Sequence, residues 1–436
     1  PGGALLQSAA GHPSMAGDGE RVFVVWSDNR YDGCPVHSSI YGARIAQDGA
    51  VLDSTGVLVS RSANGQVDPS LAFDGENFVV TWSDERDVAI NDEWNIYATR
   101  VSPEGVPLDP AATVIAQGPT RQAHPRAVFD GSSPLLAWWD CFYPNEQEVE
   151  CSIAGARLDQ GSVAPMSFPF MTFEEPRIAP ALSSGVGSTL VTAFLDLGQL
   201  VTAPVGPGGA QGSPVWPDLG SSTRVAGAFD GENHLVVWNP QPKVNGTLLG
   251  ARVAPDGTVL DPGGFPVAPA GSEVQTFAIA FGGGEYLVAW YDTTTDLSRV
   301  LATRVSPEGV VLDAVPVVVA EHPDCAPPQS IYEHRKIRLG DAAVAFDGER
   351  FALGWKACGP DSDDLFGALV DVDGVVSAQF PITADAHPDE APALGGTGTG
   401  TALIAYSSFR AEHPLGSWRV FTRPLDSAAV LDGEAP

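Results

Sequence analysis

One pattern recurs eight times along the 436 residues and restricts the fold more than any other feature. A short apolar run leads into Asp-Gly, and a second apolar run ends on an aromatic ring. Five copies place Trp eight residues after the Asp: Asp18 to Trp26, Asp74 to Trp82, Asp130 to Trp138, Asp230 to Trp238 and Asp347 to Trp355. GGEYLVAW ends a variant at Trp290, and weaker copies end at Phe194 and Tyr406. The eight aromatics are separated by 56, 56, 56, 44, 52, 65 and 51 residues. A unit of this length cannot bury its apolar face alone, so the copies must stack on one another.

Each copy has a second half. It reads IYGARIAQDGAVLD from Ile40, IYATRVSPEGVPLD from Ile96, LLGARVAPDGTVLD from Leu248 and VLATRVSPEGVVLD from Val300, with weaker versions near Ile153, Leu200, Leu365 and Arg419. A β-branched alternating run enters a Gly-containing turn, and another run leaves it. Asp-Gly and PEG-type turns suit tight hairpins, because Gly accepts positive φ at little cost. Each unit therefore reads as four antiparallel strands, A to D, with A and B joined at Asp-Gly. Eight such units predict an all-β chain, an eight-bladed β-propeller of four-stranded antiparallel blades in one domain over 1–436.

The chain ends favour a ring over an open solenoid. The last unit stops soon after its C strand, RVFTRP, and the N-terminal GGALLQSAA matches the D segment TGVLVSRSA of the first unit. Residues 3–10 are expected to complete blade 8, which would remove a free sheet edge. Each strand-B aromatic is expected between adjacent blades, contributing roughly 2–3 kcal/mol through burial.

Asp and Glu number 54 against 23 Lys and Arg, a net charge of −31. That field repels phosphate backbones and anionic lipid, which argues against nucleic acid and membrane-surface partners. No run of 18 apolar residues exists to insert into a membrane. The start at Pro1 reads as a trimmed mature chain. A monomeric domain is expected, alone or within a larger chain.

The A–B and C–D turns fall on one face and are short. The B–C loops and D–A connections fall on the other and vary, as ligand-binding loops on rigid scaffolds do. From strand-B aromatic to strand C the spacing is 14, 14, 15, 6, 10, 10, 10 and 13, so the long loops belong to the contiguous blades 8, 1, 2 and 3. They carry Arg30, Tyr31, Asp32, Arg86, Asp87, Asp92, Trp94, Phe142, Tyr143, Arg410, His413 and Trp418. Rings beside guanidinium groups suit stacking on sugars or gripping a peptide, so Arg30, Tyr31, Arg86, Trp94, Phe142, Tyr143, Arg410 and Trp418 are candidate ligand-binding residues. The competing reading is that the rings pack the loops together. Blade 4 has almost no loop and reads as structural.

Strand-B ends carry Asp28, Asp84, Asp140, Asp196 and Asp292 two residues past the aromatic, a repetition that predicts hydrogen bonds and ion pairs between blades. Fourteen residues before the aromatic, nearest the central channel, stand His12, Asp68, His124 and Asp341. Imidazole suits Zn or Cu and carboxylate suits Ca, so the one cofactor this set leaves room for is a divalent cation, Ca²⁺ or a transition metal, at the channel mouth. The acidic GPDSDD and DVDG segments lack full EF-hand spacing and read as solvated turns. Recurrent His-Pro pairs read as stiffened loop segments.

Of five Cys, Cys141 and Cys151 bracket the blade 3 B–C loop, and Cys325 and Cys358 both lie on the variable face. The expected pairs are Cys141–Cys151 and Cys325–Cys358, leaving Cys34 over. Loop disulfides imply an oxidising compartment: secreted, periplasmic or cell-surface. No CxxC, GxSxG, HExxH, P-loop or sialidase-type SxDxGxTW is present.

WSDNR with IYGARIAQDG and WSDER with IYATRVSPEG resemble the WSDxR/IYxxRVxxxG repeats of secreted or surface-anchored bacterial proteins of myxobacterial type, strongest in blades 1, 2, 5 and 6. The resemblance implies a propeller and an extracytoplasmic location and carries no catalytic residues. The expected function is a module that binds a glycan or protein ligand on the B–C and D–A loop face, and not an enzyme. The alternative is a metal-assisted hydrolase or lyase at the channel mouth.

Overall fold

The computed structural model describes residues 5–8, 13–28, 38–87, 94–145, 148–172, 180–194, 200–206, 221–241, 248–294, 298–322, 342–358, 363–383, 389–396, 400–410 and 417–425. Every regular element among them is a strand. Blade 1 is β2 (Ser14–Gly17), β3 (Arg21–Asp28), β4 (Ser39–Ala46) and β5 (Val57–Ser60). Blade 2 is β6 (Gln66–Phe73), β7 (Phe78–Asp84), β8 (Asn95–Val101) and β9 (Thr113–Ala116). Blade 3 is β10 (Arg121–Phe129), β11 (Pro134–Asn145), β12 (Glu148–Asp159) and β13 (Ser162–Thr172). Blade 4 shows three strands among the described residues, β14 (Ala181–Gly185), β15 (Ser188–Phe194) and β16 (Leu200–Val205). Blade 5 is β17 (Ser221–Phe229), β18 (His234–Gln241), β19 (Leu249–Val253) and β20 (Phe265–Pro266). Blade 6 is β21 (Val274–Gly282), β22 (Glu285–Asp292), β23 (Ser298–Val305) and β24 (Val317–His322). Blade 7 is β25 (Ala343–Phe346), β26 (Arg350–Cys358), β27 (Asp363–Asp371) and β28 (Phe380–Pro381). Blade 8 is β29 (Asp389–Gly396), β30 (Ala402–Arg410) and β31 (Ser417–Leu425), completed by β1 (Leu5–Ser8).

All pairings are antiparallel, and the chain is an eight-bladed β-propeller. The innermost strands touch in sequence, β2 to β6 to β10 to β14 to β17 to β21 to β25 to β29, and β29 returns to β2. The last blade is closed by the first strand, with Leu5 opposite Val420 and Ser8 opposite Trp418. The first and last described strands thus share one sheet, which completes the last blade.

The apolar core is divided into eight seams, one between each pair of neighbouring blades. Trp26 packs with Leu403, Ala405 and Val420 of blade 8, and Trp82 with Phe23 and Val25 of blade 1. Trp138 faces blade 2, Trp238 blade 4, Trp290 blade 5, Trp355 blade 6 and Tyr406 blade 7. Every strand-B aromatic named here therefore points backward along the ring into the preceding blade, as its repetition predicted.

The repeated turn residues have specific work. At the A–B turn, Asp18 Oδ1 accepts the N–H groups of Glu20 and Arg21 at 2.8 and 2.6 Å. Asp74, Asp230 and Asp347 do the same for their own turns. At the C–D turn, the Arg of the IYxxR run meets the Asp that closes the repeat nine residues later. Arg44 Nη2 donates to Asp53 Oδ1 at 2.8 Å and Nε to Oδ2 at 2.8 Å, while the Arg44 N–H donates to Oδ2 at 2.9 Å. Arg100–Asp109, Arg252–Asp261 and Arg304–Asp313 repeat this fork. Two-pronged charge-assisted pairs of this kind are strong and directional.

The fork also joins blades. Arg252 Nη1 donates to Pro307 O at 3.5 Å and Arg304 Nη1 to Val372 O at 2.6 Å, each on the C–D turn of the following blade. Arg44 lies against Gly105 of blade 2, where φ is +80° and a Cβ would stand 3.0 Å from Nε. Gly is needed there for its backbone and for the space the guanidinium occupies.

Of the Asp residues two past the strand-B aromatics, Asp28, Asp84 and Asp292 have partners within their own blades. Trp26 Nε1 donates to Asp28 Oδ2 at 3.0 Å and Trp82 Nε1 to Asp84 Oδ2 at 2.8 Å. Arg299 Nη2 reaches Asp292 Oδ1 at 3.2 Å. Two positions along an extended strand put the carboxylate on the same face as the indole, close enough to take its N–H. Asp196 lies outside the described residues.

The blade 4–5 seam departs from the rest. His234 takes a position held by Phe78, Phe351 and Tyr286 elsewhere and is fully buried. Its Nδ1 and Nε2 each lie 2.8 Å from a blade 4 hydroxyl, Ser183 Oγ and Ser188 Oγ, and its ring lies 4.5 Å from that of Phe229. Burial pushes its pKa down to about 4, against the pull of Asp230.

Candidate functional site

The A–B and C–D turns form one regular face, and the B–C segments rise on the other. In blade 3 the B–C segment is not a loop, as its length suggested. β11 and β12 continue past the blade body as a hairpin, paired through Cys141↔Cys151 and Phe142↔Glu150 to Asn145↔Glu148. Its residues alternate well enough to extend the ladder, and β13 lengthens with them, Cys151 pairing with Thr172. Cys141 and Cys151 form the expected disulfide across the hairpin and are buried. Beyond the bond, Phe142 and Tyr143 are 47% and 36% exposed, so the rings are presented above a covalently tied base.

Arg86 is held from several sides. Its Nη2 lies 2.7 Å from Asp84 Oδ2, Nη1 donates to Ala111 O at 3.1 Å, and the guanidinium carbon sits 3.9 Å over the Tyr97 ring. The Tyr97 hydroxyl donates to Asp87 Oδ2 at 2.7 Å, and Gln117 Nε2 donates to the same oxygen at 3.0 Å. Burial and then the Asp87 hydrogen bond push the Tyr97 pKa up. Arg86 and Asp87 are thus part of a buttress under the blade 2 loop, which is the packing role set against ligand contact above. Trp94 is half-buried, and its carbonyl accepts the Gln122 N–H at 2.8 Å, tying that loop to blade 3. Arg30, Tyr31, Asp32, Asp92 and His413, and the side chains of Arg410 and Trp418, lie outside the described residues.

At the channel mouth the structure brings two of the four candidate ligands together. His124 Nδ1 lies 3.0 Å from Asp68 Oδ2, linking blades 3 and 2. Both residues have positive φ, 57° and 53°. Each sits where strand A bulges, between Val67 and Ser70 and between Ala123 and Arg126. Pro69 and Pro125 follow directly, so the missing proline N–H falls where the ladder is already broken. These X-Pro pairs are strand bulges and not loop segments. His12 and Asp341 lie outside the described residues. Among the described residues no three His, Cys, Asp or Glu side chains converge as a metal site would require.

The acidic turn at Asp371 is self-satisfied: Asp371 Oδ1 accepts the N–H groups of Asp373 and Val375 at 3.0 and 2.8 Å. Cys34 and Cys325, and the Cys358 side chain, lie outside the described residues, as does the expected Cys325–Cys358 pair. No helix among the described residues is long and apolar enough to cross a membrane.

Below the Asp68–His124 pair the channel holds an open cavity of about 540 Å³, lined by the inner strands of blades 1 to 6. Arg126 stands beside it and was not singled out from the sequence. The signal was a break in the repeat: the register partner of the residue before the strand-B aromatic is Ser14, Ser70, Ala226, Ala278, Ala343 and Ala393 in six other blades. In blade 3 it is Arg126, opposite Ala137.

No protein-family model and no curated protein matches the chain. Among solved structures, the acylaminoacyl peptidase of Pyrococcus horikoshii is 9% identical, with 94% of this chain and 50% of that one covered and a TM-score of 0.43. A protein of unknown function from Dyadobacter fermentans is 11% identical over 82% and 94% of the two chains, with a TM-score of 0.42. The neuraminidase-like protein of A/bat/Guatemala/164/2009 is 12% identical over 67% and 85%, with a TM-score of 0.38.

Proposed function

We propose that the chain is an extracytoplasmic binding module that recognises a glycan or protein ligand on its B–C and D–A loop face. The observation that carries this is the blade 3 hairpin, which lifts Phe142 and Tyr143 into solvent above the Cys141–Cys151 bond. Exposed rings on a pre-ordered element lose little conformational freedom on binding, and their faces suit sugar rings or apolar peptide side chains. Among the described residues the opposite face exposes aliphatic side chains at its turns, such as Val186, Val310 and Val375, but no aromatic ring, and its Asp and Arg side chains are consumed by the turn hydrogen bonds. A disulfide fits an oxidising compartment, and the resemblance of the WSDxR repeats to secreted bacterial proteins supports the same location.

The reading of a metal-assisted hydrolase or lyase at the channel mouth draws on Asp68 and His124, but these bond to each other. Binding is therefore the stronger proposal. The test is a glycan and peptide array with the full chain, followed by Phe142→Ala and Tyr143→Ala. Each variant is expected to weaken any array hit at least tenfold with the fold intact. A hit equally strong in both variants and in Trp94→Ala removes the proposed surface.

A further inference from the structure

The central cavity is lined by the inner strands and not by the B–C segments. Most of the side chains that line it are apolar, among them Leu71, Val128, Phe129, Phe229 and Phe281, while polar groups, including Ser183 and Ser184 of blade 4, make up the rest of its surface. A volume of about 540 Å³ lies within the range of pockets that hold small molecules. Arg126 precedes Val128 by two residues on β10, so the two share one face of the strand. Arg126 thus adjoins the cavity-lining Ala127 and Val128, on the side of the Asp68–His124 pair.

Arg126 is the misfit of the repeat, a long cation where six other blades place Ser or Ala. Among the described residues it forms no ion pair, and its Nη1 donates to the carbonyl of its own neighbour Pro125, at 2.9 Å. The side chain is exposed to solvent and stands on the innermost strand of its blade. Desolvation lowers its pKa from the usual arginine value, opposed by the charge of Asp68. Asp68 in turn is bonded to His124 Nδ1. A guanidinium with spare donors can hold a carboxylate through two parallel hydrogen bonds.

We propose that the channel binds a small anionic amphiphile, a carboxylate carrying an apolar chain, with the carboxylate on Arg126 and the chain against the cavity wall formed around Val128 and Phe129. Charge complementarity sets the head group, and the Phe and Leu wall sets the tail. The wide negative field of the chain selects against highly charged anions, whereas a monoanion with apolar area can offset that repulsion through burial.

The experiment is isothermal titration of the full chain with decanoate, with decanol and acetate as partial probes. Saturable one-to-one decanoate binding is expected, with decanol and acetate each at least tenfold weaker. Arg126→Gln is expected to weaken decanoate at least tenfold, and Arg126→Lys to restore part of it. Ala228→Phe, which fills the cavity from a partly exposed wall position, is expected to abolish binding. Circular dichroism on each variant reports the fold. The proposal is overturned if the unaltered protein shows no saturable decanoate binding, binds decanol equally well, or keeps its affinity in Arg126→Gln. Because none of these residues lies on the loop face, either outcome leaves the array result independent.

Discussion

His234 shows how one atypical residue alters a seam. An unfolded chain protonates this imidazole below about pH 6.5, but the folded ring, at about 4, resists. Acid therefore favours unfolding: the contribution of His234 is whole above about pH 6.5 and disappears as the pH falls toward 4. Roughly 3 kcal/mol is at stake as an upper bound. Urea midpoints at pH 7 and pH 4.5 are expected to differ less in His234→Gln than in the unaltered chain. The Arg–Asp forks make a second residue-level prediction. The Arg100 hydrogen bond holds the Asp109 carboxyl below its ordinary range, so its stabilisation is present at neutral pH and is lost as acid protonates it in the folded state. Asp109→Ala is expected to cost about 1–3 kcal/mol at pH 7, measured by urea unfolding, because it strands the guanidinium and a backbone N–H together. The signal for these forks was visible, since Arg and Asp recur nine residues apart in four repeats.

At the scale of elements, the hairpin of blade 3 was the part the sequence concealed. Spacing alone cannot distinguish a 15-residue loop from two strands that continue, and the Cys pair is compatible with both. The distinction lies in the alternation of Trp139, Cys141 and Tyr143 against Ile153, Cys151 and Val149, which permits a ladder. The bulges of strand A were similarly written as Asp-Pro and His-Pro, and only the register shows them inside a strand. The disulfide closes a short loop whose strands are already paired, so its effect should be mostly local. Hydrogen exchange under reducing conditions is expected to speed up in 142–150 with little change in 22–26 or 286–290. Equal acceleration everywhere is the contrary result, since it would make the bond a global staple. Gly105→Ala tests the join between blades: strain at φ +80° and the Arg44 contact should cost about 1 kcal/mol or more in urea unfolding.

The ring as a whole was the most legible level, because a repeated Asp-to-Trp spacing dictates a repeated seam and the head segment matches the missing strand of the tail. What the repeat could not reveal was the lumen, where the proposed anion contact falls on Arg126, a residue that breaks the pattern. Everything above depends on closure between β1 and β31, which places blade 8 beside blade 1 and encloses the channel. Amide hydrogen exchange of the full chain at residues 5–8 tests this most directly. Closure predicts slow exchange at these amides, comparable with 418–422 on the partner strand; complete exchange at the earliest time point, with 418–422 still protected, would contradict it.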